Sequence, residues 1–181
     1  LKIHFGKVRI IPEIEAASVN VIRAGKHIVS THIFAEKCLL LNITCDHVNY
    51  HGSFAEYRRI KGRVFANQTK NDFAILNALD QEQDLLTGGI GAQIVKFNSK
   101  DILFQGVFVK NNEIVLKMPD GPEEKYPLGI INLPGLHNVE NVMAAITAAR
   151  LCGCSRENIM EAVGDFRGLP HRIEFAGEKN S

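Results

Sequence analysis

Residues 39–52 read LLLNITCDHVNYHG. The stretch starts as a continuous apolar run, extended on its N-terminal side by Lys37 and Cys38. It then releases Asn42, Thr44, Asp46, His47, Asn49 and His51. A continuous apolar run bounded by polar residues reads as a central strand covered on both faces, the pattern of a parallel α/β sheet. In open α/β sheets, ligands gather beyond the carboxyl ends of the strands. The polar cluster stands just past such an end. Carboxylate oxygen and imidazole nitrogen both ligate metals, so Asp46 and His47 are candidate ligands. A His-rich polar turn accounts for the same residues.

Strands and helices alternate outward from this point, which favours an α/β domain. SFAEYRRIKGRVFANQ places Phe54, Tyr57, Lys61, Val64 and Phe65 at helical spacing, with Ser53 as N-cap. DFAILNALD reads as a strand running into the polar segment 77–80, QEQDLLTG as a short helix stopped by Gly88, and AQIVKFN as a further strand. GVFVKNNEIVLKM alternates around Asn111-Asn112, the signature of a β-hairpin. EKYPLGIINL reads as another strand. HNVENVMAAITAARLCG is a helix presenting Val142, Ala145, Ile146 and Ala149 on one face and stopped by Gly153. SRENIMEAVGDF is a last helix capped by Ser155, and GLPHRIEFAG a loop leading to a short strand. Before residue 38, PEIEAASVNVIRAGKHIV reads as a helix with Pro12 in its first turn, a stop at Gly25 and then a strand. GGIG at 88–91 lacks both glycine-rich phosphate-loop patterns and reads as a turn.

The bulk numbers narrow the function. The 181 residues suffice for one cored domain. A net charge of +1 gives no electrostatic case for nucleic acid or an anionic membrane. No apolar run is long enough to span a bilayer, and no signal-peptide order opens the chain. The four cysteines form no CxxC pair, so they read as buried or incidental thiols of a reducing cytoplasm.

Three further groups carry candidate chemistry. Lys61 stands on the apolar-to-polar edge of its helix, where a lysine commonly snorkels. Turned inward, it would meet phosphate. Deprotonated by burial, it would react with carbon dioxide to give a carbamate, an oxygen ligand for Mg²⁺. Asn138 and Asn141 share one face at the start of a helix. Their carboxamides match the donor–acceptor edge of adenine, and helix capping by Asn138 is the alternative. Arg172 follows Gly168-Leu169-Pro170 and His171. On a stiff loop it would contact phosphate or ribose, and a surface ion pair is the plain alternative.

In this order, LLLNITCDHVNYHGSFAEYRRIKGRVFANQ, FAILNALD, LPGLHNVENVMAAI and FRGLPHRIEF resemble the central domain of the Mur ligases, ATP-dependent enzymes that add amino acids to the peptidoglycan precursor. GLPHRIE is most similar to the D-glutamate-adding branch. The resemblance runs from about Leu39 to Glu174. It implies ATP and Mg²⁺ as cofactors, with His47 and a carbamylated Lys61 as metal ligands and catalytic groups. It places Asn138 and Asn141 at the adenine, and Arg172 on the nucleotide. It implies UDP-N-acetylmuramoyl-L-alanine and D-glutamate as substrates, and a cytoplasmic setting.

Four departures accompany it. HFGKV stands where the family's phosphate loop ends, which keeps Lys7 as a nucleotide contact but puts Val8 where a metal-binding hydroxyl belongs. The segment between Val29 and Leu39 is short and offers only Glu36 as a carboxylate. Asn49 replaces an Asp of the family's DHxD. The family's flanking domains are expected to be absent from this chain. The expectation is therefore a mostly parallel α/β sheet flanked by helices with an added antiparallel hairpin. Residues 1–37 would be a divergent or shortened part, and 38–181 the ATP-binding domain. Little ligase activity is expected from this chain alone. A non-catalytic nucleotide-binding or interaction module derived from that domain is the alternative.

Overall fold

The computed structural model describes residues 19–21 (backbone), 36–43, 53–119 and 121–168. Among these, seven strands lie side by side in chain order: β1 (Val19–Val21), β2 (Lys37–Leu40), β3 (Phe73–Asn77), β4 (Gln93–Asn98), β5 (Gly106–Lys110), β6 (Glu113–Lys117) and β7 (Glu124–Pro127). β1 to β5 run parallel, while β6 and β7 are antiparallel to their predecessors. The mostly parallel sheet with an antiparallel addition is as the sequence predicts.

Successive residues of a strand point to opposite faces, and β2 and β3 are apolar on both. Leu39 and Ile75 enter one core, Cys38, Leu40, Ala74 and Leu76 the other. The second core is closed by α1 (Phe54–Gly62) and the 3-10 turn Arg63–Phe65, through Tyr57, Val64 and Phe65. The first is closed by α3 (Leu136–Leu151) and α4 (Arg156–Asp165). Between these lies the four-residue helix α2 (Gln81–Asp84). Every residue from Val142 to Ala148 is buried, because α3 packs on β2–β5 and also against α4. A helix covered on both sides loses the single apolar face that the sequence pattern suggests.

The caps are those the sequence announces. Ser53 Oγ accepts the Glu56 N–H and Ser155 Oγ the Asn158 N–H, both at 3.2 Å. At the end of α3, Gly153 has φ 82°, and Cys154 N–H bonds the Ala149 carbonyl while Gly153 N–H bonds that of Arg150. This is a left-handed glycine stop. Asn111 and Asn112, at φ 51° and 62°, make the hairpin turn. Gly106 is required at the start of β5: its φ is 118°, and a Cβ there would lie 2.2 Å from the Lys96 carbonyl oxygen.

Three expectations change. Val19–Val21 is a strand pairing with Lys37–Leu39, not part of a helix reaching Gly25. Its spaced β-branched valines suit a sheet, and its partner stands well along the chain. EKYPLGIINL is a strand only to Pro127 and then turns through the 3-10 segment Leu128–Ile130. β6 begins at Glu113, opposite Pro127, so no ladder partner remains beyond it. QEQDLLTG is one short helix and a separate 3-10 turn, Thr87–Gly89.

Candidate functional site

The carboxyl ends of β2, β3 and β4 open on one edge of the sheet, the edge where α/β proteins bind ligands. A polar knot ties the first two together. The Asp80 carboxylate accepts the Ile43 N–H at 2.5 Å, the Glu82 N–H at 3.0 Å and the Gln83 side-chain N–H at 3.0 Å. Gln83 is fully buried, and its Oε1 accepts the Asn77 N–H at 2.9 Å. Asn77 Oδ1 in turn accepts the Leu79 N–H at 2.9 Å. Sequence reasoning marked 77–80 only as a polar strand end. The missing signal is Ile43, which lies 37 residues away from Asp80.

At the end of β4, Asn98 Oδ1 accepts the N–H groups of Lys100 and Asp101. Ser99 Oγ donates to Glu140 at 2.7 Å. That bond fixes the start of α3 beside the strand exit. α3 has Gly135 as N-cap, at φ 98°, without a side-chain cap. Asn138 is the third residue of the helix, 5% exposed, and its Nδ2 donates to the Pro134 carbonyl at 2.7 Å. It thus steadies the entering turn and does not act as the N-cap acceptor. Asn141, one turn on, is half-buried. The two carboxamides stand at the positive end of a 16-residue helix, where anionic groups are favoured.

α1 lies between parallel strands β2 and β3 in the chain, so it runs back from the carboxyl edge. Lys61 is in its last turn, yet its Nζ lies 5.3 Å from the centroid of the Tyr57 ring, one turn nearer that edge. Helical side chains lean toward the N-terminus, which makes this reach natural. Burial lowers the Lys61 pKa from its ordinary value.

His47, Asp46, Arg172 and Lys7 lie outside the described residues. Among the described residues no group of three or more His, Cys, Asp or Glu could hold a metal. The Asp80 carboxylate is occupied by three N–H donors, and Lys61 as an ammonium would repel a cation. The described side chains therefore do not by themselves make a magnesium site. Lys61 fits one only as a carbamate.

The described cysteines are not part of this edge chemistry. Cys38 is fully buried, and burial together with Asp72 pushes its thiol up to about 11. Burial also raises Cys152. Thiols held protonated are poor nucleophiles and poor ligands. No helix among the described residues is long and apolar enough to cross a membrane.

Residues 14–149 match the Mur ligase middle domain. The chain belongs to that family. A UDP-N-acetylmuramoylalanine–D-glutamate ligase from Syntrophus aciditrophicus is 48% identical over 140 residues, covering 77% of this chain and 31% of the relative. The enzyme of the same name from Pelobacter propionicus is 34% identical over 172 residues, covering 95% of this chain and 36% of the relative. This Mur ligase middle domain thus spans about a third of the length of the curated relatives it matches. Among solved structures, a UDP-N-acetylmuramoyl-L-alanyl-D-glutamate–2,6-diaminopimelate ligase superimposes with a TM-score of 0.64 at 21% identity, over 80% of this chain and 31% of that one. MurF from Acinetobacter baumannii gives 0.60 at 23% identity, over 80% and 32%. At such identities the likeness speaks for the fold alone.

Proposed function

We propose that this chain is the nucleotide-binding part of an ATP-dependent ligase that joins D-glutamate to UDP-N-acetylmuramoyl-L-alanine. The observation that carries the reading is the 48% identity to a D-glutamate ligase along 140 residues. The geometry supports it: a carboxyl edge with two Asn at the start of α3 and a partly buried Lys on α1. In this reading Asn141, the more accessible of the pair, meets adenine through its carboxamide, and Asn138 holds the turn beneath it. Arg172 and Lys7 contact the phosphates. His47 and carbamylated Lys61 hold Mg²⁺, which when bound offsets negative charge on the transferring phosphoryl group.

The reaction takes two displacements. A carboxylate oxygen of the UDP-linked substrate attacks the γ-phosphorus of ATP, and ADP leaves with the electron pair of the broken bond. The amine of D-glutamate then attacks the acyl-phosphate carbonyl, loses a proton, and inorganic phosphate leaves. Arg172 and Lys7 serve the first step by positioning and charge, and the adenine contacts by holding the nucleotide in register.

Calorimetric titration with ATP, ADP and Mg²⁺ tests the reading. ATP binding that strengthens with Mg²⁺ is the expected result. Weak binding that ignores both Mg²⁺ and the third phosphate would favour the module without catalysis, a reading that Val8 and Asn49 recommend. This chain alone should release no phosphate in response to D-glutamate and UDP-N-acetylmuramoyl-L-alanine. Release would overturn that part of the proposal.

A further inference from the structure

The segment from Asp80 to Leu86 touches both elements that lead into the metal end of the site, and it touches them by different means. Toward β2, Asp80 accepts the Ile43 N–H, the last described backbone donor before the stretch that carries His47. Toward α1, Glu82 pairs with Arg58 at 2.6 Å, three residues before Lys61. Leu86 packs on Gly62 so closely that a Cβ there would meet Leu86 Cδ2 at 2.7 Å. Inside the segment, Asp80 caps α2 through the Glu82 N–H, and Gln83 anchors it to the end of β3 through Asn77. A helix of four residues has little stability of its own. Its order here comes from these anchors, and all of them converge on Asp80 or its neighbours.

We propose that Asp80 is a positioning residue: with the segment 80–86 it forms a brace that fixes the exit of β2 and helix α1, and so Lys61, in one mutual arrangement. Asp80 touches no nucleotide in this account. It acts through Ile43 on one side and through Glu82, Arg58 and α1 on the other. The functional half of the inference rests on the proposed reading of the site, and the brace itself does not. A carboxylate suits the task because one group accepts three N–H donors from two chain segments. A hydroxyl in its place still reaches the adjacent Glu82 N–H as a cap, but falls short of Ile43.

That difference supplies the test. In this chain, Asp80→Ser keeps the cap and loses the link to Ile43. Arg58→Gln leaves Ile43 alone and loosens α1. Residue-resolved amide exchange and the ratio of ATP affinities with and without Mg²⁺ are measured for both and for the parent. Asp80→Ser should raise exchange at Ile43 by about tenfold or more, the order of one lost hydrogen bond, while Glu82 stays protected. Arg58→Gln should raise exchange in α1 only. Both should reduce the Mg²⁺-dependent gain in ATP affinity while ATP affinity without Mg²⁺ holds. Unchanged exchange at Ile43 in Asp80→Ser would overturn the brace. Faster exchange with the Mg²⁺ gain intact would overturn its role in the site. A parent chain with no Mg²⁺ gain would instead count against the proposed function, and exchange would still decide the brace.

Discussion

Asp80 and Glu124 are both carboxylates ringed by donors, one just past the parallel strand β3 and the other on the antiparallel addition, and their donors differ. Asp80, at the carboxyl edge, is held by neutral groups: two backbone N–H and the Gln83 amide. Glu124 begins β7, the last strand of the described sheet. It receives Arg150 Nε at 2.9 Å, an Arg150 terminal nitrogen at 2.6 Å and the Tyr126 hydroxyl at 2.7 Å. Arg150 also bonds the Cys154 carbonyl, and Arg156 lies over the Tyr126 ring. Charge-assisted, bidentate bonds are the strong ones, and here they lock the end of α3 to the outermost strand. Bonds from uncharged N–H groups to a carboxylate lack the paired cation and are more particular about place. The Glu124 knot ties helix to strand, and the Asp80 knot orders backbone at the edge where the proposed site lies.

The largest expected effect follows from cutting the Glu124 knot. Arg150→Ala leaves Glu124, with 16% side-chain exposure, without its hydrogen-bonded cation and with only Arg156 nearby. A fully buried pair broken in this way costs about 3–5 kcal/mol. Partial exposure brings the expectation to roughly 2–3 kcal/mol, read from urea unfolding, with nucleotide affinity of the folded protein unchanged. The same knot gives a pH signature. Burial alone would raise the Glu124 carboxyl, but hydrogen bonds from Arg150 and Tyr126 outweigh it and hold the group below its ordinary value. Its stabilisation is therefore complete above the unfolded value near 4.5 and is lost as pH falls through the lowered one. Glu124→Gln should flatten that acid limb. An unaltered limb would remove the knot from the account.

Asp80→Ala comes next. Loss of a helix cap and of a backbone partner should cost about 1–2 kcal/mol, less than Arg150→Ala, and unlike it should disturb ATP binding in the presence of Mg²⁺. Equal stability loss with intact binding would make the two carboxylates alike and undo the contrast. The smallest effect on stability belongs to Asn141→Ala. A half-buried carboxamide near solvent should cost under about 0.5 kcal/mol in folding, while ATP affinity falls roughly tenfold, about 1.4 kcal/mol. An affinity that does not change would remove the adenine site from the start of α3.

What could be read in advance depended on how local its cause was. Ser53, Ser155, Gly153 and Asn111-Asn112 announce caps and turns because each acts within a few residues. The double-sided apolar runs of β2 and β3 announce a covered parallel sheet for the same reason. Val19–Val21 misled because its strand character comes from pairing with β2, 16 or more residues along the chain, whereas the sequence pattern around it is helical. The burial of α3 on both sides was hidden because α4 folds back onto it after a tight stop. In the site, Lys61, Asn138 and Asn141 were noticed by residue type and spacing. Asp80 was passed over because its decisive partner, Ile43, is a backbone N–H, and a backbone donor has no sequence signature.

In the proposed reading nucleotide binds at the carboxyl ends of β2 to β4, against the start of α3, and not at the Glu124–Arg150 knot. Nitrogen–proton correlation spectra of the labelled chain, recorded as ATP is added with Mg²⁺, test it most directly. The account predicts that the Asn138 and Asn141 side-chain amides, the Ser99–Asp101 turn and the end of α1 shift together and saturably, while Tyr126, Arg150 and Cys154 stay in place. Shifts centred on Glu124 and Arg150, or none at any residue, would contradict it.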